Sequence, residues 1–474
     1  MLCFHFPLPF YHFLLIIITI IQPYYFVACV PQQFGNTTLV EFLPGFDGPL
    51  PFHLETGYVG VGESKEVQLF YYFVKSESDP RKDPILIWLT GGPGCSSISG
   101  LLYEIGPLAF AQKTFNGSLP ILVSAPYSWT KFASIIFLDQ PLNTGFSITS
   151  TSKCTDDLQA SNYVYEFLLK WFDDHTEFIS NPFYVSGDSY SGIIIPVIVQ
   201  LISDGNEAAN KQLINIKGYT LGNPATFPEE KNYQIPFSHG MGLIPDELYE
   251  SLKENCKGDY QNLSPTNELC VQYLTMFKKL VSGIYDQHIL ETLCGLDIPN
   301  QQQLFGERRS LGEDFVTLKN DDSICQESRV AKLELSFYWA NNPKVQEVLH
   351  VIKEKIERPW LRCRRTMKNT TYKMTLMNSI PYHINLSSEG YRSLIYSGDH
   401  DMEIPFQSTQ AWIKSLNYSI TDDWRPWIVD GQVAGYTRSY SNPMTFATVK
   451  GGGHTAPEYK PKECYHMFKR WITQ

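Results

Sequence analysis

Three short stretches of this chain carry side chains that could work together on an acyl carbon. Residues 183–192 read FYVSGDSYSG, a strand-forming run that meets Gly187 and then Asp188, Ser189, Tyr190, Ser191 and Gly192. Residues 396–405 read YSGDHDMEIP and offer Asp399 and Asp401. Residues 451–457 read GGGHTAP and offer His454 after a glycine run. A serine hydroxyl is a weak nucleophile until an adjacent base takes its proton. A histidine can take that proton, and an aspartate behind it can fix the ring and stabilise the imidazolium. The expected roles are therefore Ser189 as nucleophile, His454 as base and Asp401 as the orienting acid. Asp399 directly follows Gly398 and suits the turn itself. His400 sits beside the acid in sequence and reads as a loop histidine.

The serine stretch departs by one residue from a G-x-S-x-G strand-to-helix turn, because Ser191 stands where the second glycine belongs and Gly192 follows it. That turn is the nucleophile elbow of α/β-hydrolases, in which serine, acid and histidine occur in that chain order. An oxyanion must also meet N–H donors that are in place beforehand. Residues 90–97, TGGPGCSS, follow the apolar run ILIWL and put glycines where backbone can approach a ligand. The Gly92 and Tyr190 amides are the expected donors.

Each of these side chains needs a strand end to hold it. ILIWL (85–89) and SIIFLD (134–139) are continuous apolar runs of the kind that form buried parallel strands. Residues 158–172 put Val164, Phe167, Leu168 and Trp171 on one helical face. Residues from about 40 to 225 read as alternating strand and helix. From about 225 to 385 strand signals thin and polar helical segments take over, as in an inserted cap. Strand patterns return at 392–399, 424–430 and 444–453. The expected fold is an α/β-hydrolase: a central, mostly parallel sheet flanked by helices, as one domain over 30–474 with a largely helical insertion.

The chain has 474 residues, 43% hydrophobic and 18% charged, enough apolar material for a large packed core. A net charge of -11 with no basic block leaves no footprint for nucleic acid. Residues 1–29 read as a signal peptide. Phe13 to Ile21 is a short apolar core, too short to span a membrane, with small Ala28 and Cys29 after it. Entry to the secretory pathway fits six N-x-S/T sequons, at Asn36, Asn116, Asn262, Asn369, Asn385 and Asn417. Of ten cysteines, Cys3 and Cys29 leave with the signal, and the other eight could pair in an oxidising compartment. Cys256 and Cys270 bracket a short polar loop. Spacing alone leaves the other pairings open.

The segments WLTGGPGCSS, FLDQPLNTGFS, GDSYSG, SGDHDM and KGGGHTAPEYKP together resemble the motif set of the serine carboxypeptidase family. The likeness runs over the whole chain after the signal segment. It implies a Ser189–Asp401–His454 triad, oxyanion amides at Gly92 and Tyr190, and the disulfides Cys95–Cys363, Cys256–Cys270 and Cys294–Cys325, with Cys154 and Cys464 left free. It also implies a substrate-binding set of Thr90, Gly91, Glu104 and Asp188. Family carboxypeptidases have asparagine at the position of Thr90, to hold a peptide's terminal carboxylate, and usually glutamate at the position of Asp188. Glu104 and Asp188 match the family's two acids that share a proton, since two close carboxyls do not both ionise cheaply. The segments 416–427 and 434–456 look like the plant serine carboxypeptidase-like acyltransferases. That branch implies transfer of a phenolic acyl group from a glucose ester to an alcohol or amine, in a secreted or vacuolar setting. The alternative is a serine carboxypeptidase acting on peptides at acidic pH. The partners implied are a small-molecule acyl donor and acceptor, with no metal, no cofactor, no nucleic acid and no membrane insertion. Residues 300–325 read as an exposed loop and a candidate processing site.

Overall fold

The computed structural model describes residues 38–112, 114–149, 154–209, 213–261, 266–294, 325, 328–353, 358–364 and 367–474. The expected signal segment and the 300–324 stretch lie outside them.

Twelve strands form the main sheet: β1 (Thr38–Val40), β2 (Leu54–Val61), β3 (Val67–Val74), β4 (Ile85–Leu89), β5 (Ser134–Leu138), β6 (Ile148–Thr149), β7 (Phe183–Asp188), β8 (Ile216–Gly222), β9 (Arg392–Gly398), β10 (Ile420–Val429), β11 (Gln432–Tyr440) and β12 (Met444–Val449). Their order across the sheet is β1-β2-β3-β5-β4-β7-β8-β9-β12-β11-β10, and β6 pairs with β3. The six central strands, β5 to β12, run parallel. Antiparallel strands extend both edges, so the sheet is mixed. Residues 38–74 hold three antiparallel strands and no helix among the described residues, unlike the alternation expected from about residue 40.

Alternation of side chains across the pleat accounts for the continuous apolar runs. On β4, Leu86 and Trp88 enter one core while Ile85, Ile87 and Leu89 enter the other. Both faces are covered, so no position can be polar. Helix α1 (Asp157–Asp174) buries Val164, Phe167, Leu168 and Trp171 against the second core. It begins at Asp156, whose carboxylate accepts from the Gln159 amide as an N-cap. Helix α2 (Ser191–Ala208) follows β7 directly and contains Pro196. A proline there removes the bond to the carbonyl four residues back. That carbonyl, Gly192 O, accepts instead from Ser379 Oγ at 2.9 Å.

Between β8 and β9 the longer described elements are helices, including Gln234–Gly240, Asp246–Cys256, Glu268–Val281 and Arg329–Ala340. The three disulfides are Cys95–Cys363, Cys256–Cys270 and Cys294–Cys325, and Cys154 and Cys464 are free. Among the sequons, Asn116, Asn385 and Asn417 are exposed. Asn36, Asn262 and the side chain of Asn369 lie outside the description. No helix among the described residues is long and apolar enough to cross a membrane.

Candidate active site

Five strands of the parallel centre end at one edge, and each delivers a site residue just beyond its carboxyl end, where open α/β sheets bind ligands. β4 leads to Thr90–Gly92, β7 to Ser189, β8 to Asn223, β9 to Asp401 and β12 to His454.

Ser189 takes a left-handed φ of 55°, a strained conformation for a residue with a side chain. The tight turn around it explains the displaced glycine. A Cβ at Gly187 would stand 2.3 Å from Leu89 O, and one at Gly192 would stand 2.4 Å from Ala225 O. Position 191 has no such conflict: the Ser191 hydroxyl donates to Leu89 O at 2.8 Å.

His454 Nε2 lies 2.7 Å from Ser189 Oγ, and His454 Nδ1 lies 2.7 Å from Asp401 Oδ2. Asp401 is fully buried. Its Oδ2 also accepts from Asn223 Nδ2 at 2.8 Å, and its Oδ1 accepts from the Glu403 and Ile404 amides. Burial pushes the Asp401 carboxyl up, and His454 with these donors works against it. Burial also disfavours a charged His454 ring, yet Asp401, Glu403 and Asp188 together outweigh it and push the imidazole up to about 9. The arrangement can move the Ser189 proton to Nε2 and hold the resulting imidazolium against a buried carboxylate. Asp399 does other work: its carboxylate accepts from the Gly451 amide at 2.7 Å and meets His400 Nδ1, so it ties the two loops together.

The Gly92 and Tyr190 amides are not committed to backbone partners among the described residues. Gly92 has φ 120°, open to glycine. The Gly91 amide donates to Asp188 Oδ1 at 3.0 Å, which clamps the glycine loop to the elbow. Glu104 and Asp188 are both buried. Burial and then the Asp188 charge push Glu104 well above the usual carboxyl range. Burial raises Asp188 too, but His454 and the Gly91 amide favour its charge. Of the two acids, Glu104 is therefore the one that holds a proton more readily. Its Oε2 and the hydroxyl of Thr90 are each buried with no protein partner among the described residues.

Sequence reasoning missed several supporting residues. Asn223 directly follows the glycine that ends β8, a position that marks a strand end facing the site. Asp139 accepts from Ser96 Oγ, the Ser97 amide and the Phe146 amide, and so fixes the loop that follows Gly92. Asp157 receives the hydroxyls of Tyr190 (2.6 Å) and Tyr372 (2.7 Å) and the amides of Thr375 and Leu376. This carboxylate tethers the elbow's Tyr190 to a segment some two hundred residues away. Tyr190→Phe is expected to lower kcat about tenfold with KM unchanged, the effect of one lost charge-assisted hydrogen bond acting through the Tyr190 amide. Steady-state kinetics on any turned-over ester checks it, and an unchanged kcat would remove the tether from the argument.

The serine carboxypeptidase family profile matches residues 44–474. The chain belongs to the serine carboxypeptidase family. It is 52% identical over 445 residues to serine carboxypeptidase-like 2 of Arabidopsis thaliana, covering 93% of each chain. It is 53% identical over 445 residues to serine carboxypeptidase-like 10 of the same plant, covering 93% of this chain and 95% of that one. Its fold matches a prohormone-processing carboxypeptidase from Saccharomyces cerevisiae with a TM-score of 0.72 at 19% identity, over 92% of this chain and 95% of the other. The α/β-hydrolase fold of this family is thus the fold of the present chain.

Proposed function

We propose that this family member is an acyltransferase that moves an acyl group, phenolic in character, from a 1-O-glucose ester to an alcohol or amine. Ser189 attacks the ester carbonyl while His454 takes its proton, and the Gly92 and Tyr190 amides meet the oxyanion. His454 returns the proton to the departing sugar. It then deprotonates the acceptor, which takes the acyl group from Ser189, and His454 Nε2 passes that proton to Ser189 Oγ as the serine leaves. Transfer outruns hydrolysis when the acceptor is held in place and water is kept from the acyl carbonyl.

The observation that carries this reading is a pair of buried polar atoms without protein partners among the described residues, the Thr90 hydroxyl and Glu104 Oε2, on a loop that the Gly91 amide ties to Asp188. A hydroxyl and a carboxylic acid suit the hydroxyls of a sugar ester. They lack the amide that holds a peptide's terminal carboxylate in family carboxypeptidases. The plant relatives and the three disulfides support entry to the secretory pathway, with delivery outside the cell or to the vacuole.

Purified protein incubated with a panel of glucose esters and acceptors tests the reading, and hydrolysis without any transfer would count against it. One observation favours the second reading, a peptidase working at acidic pH. Glu104 keeps its proton and could donate to a terminal carboxylate. Thr90→Asn separates the two. Restoring the amide is expected to raise release of the C-terminal residue from a blocked dipeptide about tenfold, the worth of one hydrogen bond to a charged group. Efficient dipeptide cleavage by the parent protein, with no gain in the variant, would instead favour the peptidase.

A further inference from the structure

The strap formed by residues 286–289, in the region between β8 and β9, holds both loops that carry the proposed acid and base. The Asp286 carbonyl accepts from the Met402 and Glu403 amides at 2.8 and 3.0 Å. The Ile289 amide donates to His400 O at 3.1 Å, and the His454 amide donates to Gln287 O at 2.7 Å. Ile289 packs with Phe237 and Met402 in a small apolar cluster that anchors the strap. The strap also brings a second pair of acids to the site. The Glu403 amide on the Asp286 carbonyl puts the two acids side by side, and Lys231 Nζ lies 3.5 Å from Glu403 Oε1.

We propose that Glu403, held against Asp286 by this strap, is a positioning residue that acts through His454, its charge setting the pH at which the imidazole becomes a free base. The inference rests on the reading of Ser189 and His454 as nucleophile and base, but not on the identity of the substrate. Two hydrogen bonds join the Glu403 backbone to the ring through Asp401, which holds the Glu403 carboxylate close to the site. The Glu403 amide donates to Asp401 Oδ1 at 2.8 Å, and Asp401 Oδ2 meets His454 Nδ1. The charged groups around Glu403 are Asp286, Lys231, Glu230, Asp401 and His454. Those around His454 are Asp401, Glu403, Asp188 and Asp286. Burial, then Glu403, pushes Asp286 up to about 7, while Glu403 is held below the usual carboxyl range, so Glu403 is the acid of the two that keeps its charge as the pH falls. The Glu403 side chain is 30% exposed, so its field is partly screened by water and salt.

The sign is fixed by charge. A carboxylate near His454 favours the imidazolium, so the ring loses its proton at higher pH than it would alone. Removing that charge must move the acid limb of the rate profile to lower pH. Removing Lys231, which offsets it, must move the limb to higher pH. The pH dependence of Ser189 inactivation by a fluorophosphonate probe reads this limb directly, because the probe needs only the nucleophile and its base. Glu403→Gln is expected to lower the midpoint by about half a pH unit. Lys231→Met should raise it by a comparable amount, and Glu403→Asp should restore most of the parent value. Both shifts should shrink in high salt. A purely structural role for Glu403 would instead lower the rate at every pH with the midpoint fixed. Midpoints of Glu403→Gln and Lys231→Met that coincide with the parent's would overturn the inference alone. A parent protein that never labels would overturn it together with the nucleophile reading.

Discussion

Asp401→Asn is expected to slow acylation of Ser189 about ten-thousand-fold while leaving the chain folded. The hydrogen bonds around Asp401 dictate how an asparagine would sit. The amides of Glu403 and Ile404 both donate to Oδ1, so the asparagine carbonyl must take that position. Its NH2 then stands where Oδ2 was, facing His454 Nδ1. Nδ1 becomes an acceptor, the ring proton moves to Nε2, and Nε2 can no longer receive the serine proton. The same NH2 meets Asn223 Nδ2, a donor against a donor. Asn223 cannot flip freely, because its Oδ1 accepts from the Gly398 amide at 3.1 Å. One buried donor left without an acceptor costs about 1–3 kcal/mol, which a large domain survives. Fluorophosphonate labelling rates beside a thermal melt give both quantities. A fall of less than tenfold with an unchanged fold would remove Asp401 from the proposed chemistry.

The proposed nucleophile, acid and base were legible because each lies just past a strand with its own signal. FYVS, RSLIYSG and MTFATV read as strands, and the serine, acid and histidine followed in the order this fold requires. The supports were not legible, because they are defined by contacts between distant segments. Asp157 resembles an ordinary residue of a helix's first turn, yet it binds Tyr190, Tyr372, Thr375 and Leu376. Asp286 lies in a stretch with no motif, and only the folded chain brings it to Glu403. At the sheet edges, β2 and β3 are buried on both faces, so the period-two pattern that marks a half-exposed strand is missing. β11 has the opposite problem, for most of its residues are partly or fully exposed and read as loop. The lost glycine of the elbow became intelligible only from the close approaches at positions 187 and 192.

Gly91→Ala should be nearly as damaging as loss of the acid, by a different route. A Cβ at position 91 would stand 2.5 Å from Ser189 Cβ, 2.8 Å from the Tyr190 amide nitrogen and 2.9 Å from Asp188 O. None of these is the far end of a flexible side chain, so the glycine loop itself must retreat. Retreat moves the Gly92 amide from the proposed oxyanion position and stretches the Gly91–Asp188 hydrogen bond. Loss of one oxyanion donor costs about a hundred- to a thousand-fold in kcat, and here the methyl also crowds the second donor at Tyr190. A fall of about a thousand-fold or more in acylation is the expected result. Gly240→Ala is the matched control, since a Cβ there meets nothing within 4 Å and the residue ends a helix at ordinary φ. Labelling kinetics and melting curves on the two variants separate crowding at the site from a general effect of losing a glycine. If Gly91→Ala keeps more than a tenth of the parent rate, the oxyanion does not form between this loop and the elbow, and the donors must be sought elsewhere around Ser189.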